Sequence, residues 1–178
     1  MGSETIAEWQ GFFSFVGLVA GGLTGLIFVA LSLQITEVRA RPAYVIRART
    51  TLGALTGIVV LCGLVLVPGQ SPTALAIEAI VLFIALIADV VRTVRSFEGP
   101  GEKIERPVAV RTSLALLLLG LGAVGSVGLF FGASWAMRVI GFSMLLGLPL
   151  RLIQAWALLV AALPVQAREG PPATGTDP

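Results

Sequence analysis

Five apolar runs, each long enough to cross a lipid bilayer as a helix, divide almost the whole chain between them, at about 12–35, 50–67, 74–91, 113–131 and 137–163. Roughly 20 residues of helix span about 30 Å of hydrocarbon, and a helix satisfies its own backbone polar groups there. Of 178 residues, 56% are apolar and only 12% charged, where soluble domains carry about 25% charged residues. That is too little polar surface to coat a water-soluble core. The expectation is an all-α polytopic transmembrane bundle forming one domain over 1–166, followed by a disordered tail, 167–178, rich in Pro, Gly and Thr.

The breaks between runs differ in strength. Pro68-Gly69-Gln70-Ser71-Pro72 is a dense breaker cluster that makes the second and third spans a tight hairpin, and Gly132-Ala133-Ser134-Trp135 is a weaker break between the fourth and fifth. Thr5-Ile6-Ala7-Glu8 has capping-box spacing, which predicts a helix start just ahead of the first run. The first ten residues carry Glu4 and Glu8 and no Lys or Arg, unlike a cleaved leader, so the first span is expected to be retained.

Charge is sparse but lopsided. Eleven of the twelve basic residues are Arg, and nine of the twelve fall in 39–49 (Arg39, Arg41, Arg47, Arg49) and 92–111 (Arg92, Arg95, Lys103, Arg106, Arg111). With five spans both segments lie on one side, and basic loops are retained in the cytoplasm, so the expected topology is N-terminus outside and C-terminus inside. Trp9 and Trp135 then fall at the outer interface, Tyr44 and Trp156 near the inner one. Arginine beside a bilayer attracts anionic headgroups, which makes the lipid surface the expected partner at the cytoplasmic face. No aromatic-interleaved basic patch points to nucleic acid.

Chemistry has little to work with. There is no histidine, the single cysteine, Cys62, lies within an apolar run, and the single lysine lies in a loop. No cofactor or metal is implied, and catalysis is not expected. The residues that stand out are polar groups at membrane depth: Glu78 and Asp89, eleven residues apart and so nearly on one face of the third helix, with Arg138, Arg151 and Gln154 in the fifth. Counting 1.5 Å per residue puts Asp89 and Arg151 both about 20 Å from the outer boundary, where a pair across two helices is expected. Pro149 withholds a donor from the carbonyl of Leu145, predicting a kink beside Arg151.

Small-residue spacing is the second signal. Gly17, Gly21 and Gly25 in the first helix, Gly53 and Gly57 in the second, and Gly128 and Gly132 in the fourth let helices approach closely, within the chain or between chains. Arg49-Thr50-Thr51-Leu52 and Arg111-Thr112-Ser113-Leu114 both open a membrane hairpin, but the two hairpins share little else.

Gly25-Leu26-Ile27-Phe28-Val29-Ala30-Leu31-Ser32 ahead of a basic loop, Leu66-Val67-Pro68-Gly69-Gln70, and Ala155-Trp156-Ala157-Leu158-Leu159-Val160 together resemble a group of uncharacterised small multi-pass membrane proteins of high-GC bacteria. Some of that group are described as modulators of a membrane-bound protease. The resemblance implies a bacterial inner-membrane location and carries no catalytic residues. The expected function is non-enzymatic, through helix–helix interaction as a homo-oligomer or with another membrane protein. The alternative is a small transporter or channel in which Glu78, Asp89, Arg151 and Gln154 line a polar path.

Overall fold

The computed structural model describes residues 2–33, 35, 42–97 and 106–162, and these form five helices with no strand among them. They are α1 (Gly2–Leu33), α2 (Pro42–Leu66), α3 (Pro72–Phe97), α4 (Arg106–Phe130) and α5 (Ala136–Ala162). Each contains a stretch long and apolar enough to cross a membrane: Ile6–Leu33, Ala48–Leu66, Pro72–Arg95, Val110–Phe130 and Ala136–Trp156. The five expected spans are therefore present, with ends moved by a few residues. The largest shift is at the start, where α1 begins at Gly2 and runs through Thr5-Ile6-Ala7-Glu8. That tetrapeptide lies inside the helix and is not its cap. Arg39, Arg41, Lys103, Arg168 and the tail 167–178 lie outside the described residues, as do the side chains of Tyr44, Arg47 and Arg106.

Local chemistry explains where the helices stop. Ser71 caps α3: its Oγ accepts from the Ala74 N–H at 3.1 Å, its carbonyl takes the first helical bond from Leu75, and Pro72 occupies the first helical position, where no N–H is needed. α4 ends on Gly132, whose φ of 73° suits a residue without a β-carbon. The Gly132 N–H donates to the Leu129 carbonyl and the Ala133 N–H to the Gly128 carbonyl, the paired bonds of a Schellman ending. Gly132 is thus a helix terminator, correcting its expected role in packing. Gly69, at φ 74°, makes the turn between α2 and α3. α5 continues as one helix through Pro149.

The two short turns oblige α2 with α3, and α4 with α5, to run antiparallel. Each helix packs on its neighbours in chain order, α5 closes back on α1, and α5 also touches α2 across the middle. The core lies along that central contact. Leu55, Leu61, Cys62 and Val65 of α2 and Met137, Ile140 and Met144 of α5 are buried, together with Phe13 and Val16 of α1 and Phe83 of α3. Outward faces remain apolar and exposed, as at Leu18, Leu26 and Phe28 of α1, Val81 and Ile84 of α3, and Leu117 and Val124 of α4. A soluble bundle would carry charge there, whereas lipid tolerates it.

Glycines set the closest approaches. A β-carbon added at Gly17 would lie 2.9 Å from Cys62 Cβ, one at Gly57 would lie 2.8 Å from Leu86 Cδ1, and one at Gly128 would lie 2.7 Å from the Trp135 ring. Those three do the packing expected of them. At Gly21, Gly25 and Gly53 an added β-carbon meets nothing within 4 Å. Three further glycines are in close contact, Gly122 the closest of all. At Gly122 an added carbon would overlap Phe83, at Gly125 it would meet Ile140 and the Ala136 carbonyl, and at Gly141 it would meet Phe12 and Trp9.

Candidate functional site

These contacts also fix the register of the bundle. Gly141 against Trp9 and Phe12 places the starts of α1 and α5 at one end. The turn around Gly69 and the turn at Gly132 lie at that same end. The opposite end holds Arg49, Asp89, Arg92, Arg95 and Arg111, and Arg49 Nη2 lies 3.9 Å from Asp89 Oδ1 there. Of the basic side chains described, Arg138 alone belongs to the first end, and Arg151 lies within the bundle. The charge asymmetry of the sequence is therefore an asymmetry of the folded bundle.

The polar residues at membrane depth separate into distinct environments. Glu78 is exposed near the first end, and Gln70 Nε2 donates to its Oε2 at 2.6 Å, so it ties the turn to the second turn of α3. Arg138 is exposed at that end too. Asp89 is 37% exposed and faces Arg49, itself 82% exposed. The expected Asp89–Arg151 pair is not formed: Asp89 faces α2 rather than α5. Equal depth placed the two residues in one layer, but depth carries no information about which way each helix is turned.

Arg151 is the exception. It is only 7% exposed, about 22 Å along α5 from Ala136 at 1.5 Å per residue. Its Nη1 donates to Gln154 Oε1 at 3.0 Å, one turn further along the same helix. Beside it, between α2, α3, α4 and α5, lies a cavity of about 40 Å³, bordered by Ala54, Leu86, Ala115, Ser143, Gly147 and Arg151 among others. Ser143 is buried, and its hydroxyl donates to the Ile140 carbonyl at 2.8 Å. Gly147, where an added β-carbon meets nothing within 4 Å, leaves side-chain volume out of the lining. Glu78, Asp89 and Arg138 do not border it.

The arrangement thus unites Arg151 and Gln154 and leaves the other three apart. What sequence reasoning missed is the glycine seam of α4. Gly122, Gly125 and Gly128 recur at spacing three, and attention to spacing four recovered the last of them alone. A search for small residues at either helical neighbour spacing would find the seam.

An all-helical bundle whose five helices are each able to cross a bilayer, with apolar outer faces, is that of a multi-pass membrane protein. Comparison with family models, with curated proteins and with solved structures finds no match for the chain.

Proposed function

We propose that this protein is a non-enzymatic integral membrane protein that acts by lateral association of its transmembrane helices, with a second copy of itself or as a modulator of another membrane protein. The observation that carries this reading is the open glycine face of α1. Gly21 and Gly25, four residues apart, have nothing within 4 Å of an added β-carbon, although Gly17 on the same helix is packed against Cys62. Small residues weaken a helix unless close approach returns the loss, and among the described residues nothing approaches them. Exposed Leu18 and Val29 flank the pair and would supply contact area to an incoming helix.

The polar-path alternative gains nothing from Glu78 and Asp89, which lie at opposite ends and outside the cavity. The orientation that fits this reading places the arginine-rich end in the cytoplasm, where it meets anionic headgroups.

Cross-linking in native membranes tests the reading. With Cys62 replaced by Ala, Gly25→Cys should form a disulfide-linked species under mild oxidation, of twice the monomer mass for self-association or larger for a different partner. Gly21→Leu should suppress it. A monomer at every protein-to-lipid ratio, with no adduct, contradicts the proposal.

A further inference from the structure

We propose that Arg151 and the cavity beside it form a binding site for one small monovalent anion of the halide class. The inference is independent of lateral association. A guanidinium carries five N–H donors and keeps its charge at any ordinary pH. At 7% exposure Arg151 has little contact with the surroundings of the bundle, so water and headgroups relieve its charge only slightly. Among the described residues its one polar partner is Gln154 Oε1, a neutral acceptor that takes a single bond. The two acids described on α3 are engaged elsewhere, Asp89 by Arg49 at 3.9 Å and Glu78 by Gln70 at 2.6 Å. A buried cation left with unfilled donors is costly, and a counter-anion is what removes that cost.

The cavity supplies the place. Its volume of about 40 Å³ is open beside Arg151, where about 10–15 Å³ by the same measure admits one water. That leaves room for a compact ion with a water or two. Among the described residues Arg151 is the only charged side chain in the lining, so one negative charge balances it. Ser143, the other polar member, has its proton committed to the Ile140 carbonyl, which leaves the guanidinium as the donor that selects for negative charge. The remaining walls are aliphatic or aromatic, such as Leu82, Phe83, Leu86 and Leu118, and suit a weakly hydrated ion. A hydrated sulfate or phosphate ion is both too large and too highly charged for this space.

The experiment is thermal unfolding of the detergent-solubilised protein at constant ionic strength, replacing gluconate by chloride, bromide or sulfate. Chloride and bromide should raise the melting temperature in a saturating manner, with sulfate indistinguishable from gluconate. Arg151→Gln should abolish the dependence. Should that variant fail to fold, Gly147→Leu decides: it retains Arg151, and its added carbon meets no atom within 4 Å, so the new side chain fills the cavity and should remove the halide response. Equal melting temperatures in chloride and gluconate for the unaltered protein overturn the proposal. So does a halide response that survives in Gly147→Leu, or a sulfate response as large as that of chloride.

Discussion

At the scale of single residues, type and position along the helix were legible in the sequence, and direction was not. Arg151 and Gln154 stood out as polar groups well inside a span, and they are in contact. Asp89 was given the wrong partner, because a rise of 1.5 Å per residue orders residues along a helix without saying which neighbour they face. Its contact with Arg49 is long and open to the surroundings, and such pairs contribute about 0–1 kcal/mol. Asp89→Asn should therefore cost under about 1 kcal/mol in equilibrium unfolding, and exchanging the charges of Asp89 and Arg151 should rescue nothing. Recovery in that exchange would show that the two residues interact after all. Glycine is the other residue whose environment decides its meaning. Gly122→Val forces a side chain into Phe83 and should cost about 1–3 kcal/mol, the usual range for overpacking. Gly21→Val adds a side chain to open space and should stay within about 0.5 kcal/mol for the isolated chain. Equal losses at the two positions would mean that Gly21 is packed within the monomer.

At the scale of elements, the five helices follow from apolar run length because a bilayer leaves the backbone no other way to pair its polar groups. Their ends needed more than run length. The Ser71-Pro72 start of α3 is written plainly in turn chemistry, and it forms as that chemistry demands. The Thr5 motif has capping-box spacing and is not the helix start, since α1 already runs from Gly2, ahead of it. Gly132 was assigned to helix packing from its spacing with Gly128, yet its positive φ and the two bonds around it make it the terminator of α4. Gly132→Val therefore strains the backbone at a left-handed position, for an expected loss of about 1–3 kcal/mol. Gly132→Asn should recover part of it, because asparagine tolerates that conformation better. Unfolding of the two variants in detergent compares them directly, and a Val variant as stable as the parent would contradict the assignment.

At the scale of the whole molecule, the bundle closes with α2 and α5 in the middle and sets the described basic residues of the connecting segments at one end. Helix order around the bundle was out of reach of composition and spacing, because in every helix but α3 lipid-facing and core-facing positions are alike apolar and no amphipathic stripe marks the buried side. The cavity shared that fate: its lining comes from α2, α3, α4 and α5, which adjoin only once the helices are arranged. Overall orientation, by contrast, rests on charge alone. Labelling with a membrane-impermeant maleimide in intact cells reads it directly, because the single native thiol, Cys62, is buried. Cysteines introduced at exposed Ser134, in the turn between α4 and α5, and at exposed Arg95, near the end of α3, sample opposite ends of the bundle. The account predicts that Ser134→Cys is labelled from outside and that Arg95→Cys reacts only after the membrane is permeabilised. Labelling of both from the same side without permeabilisation would contradict the five-span membrane bundle itself.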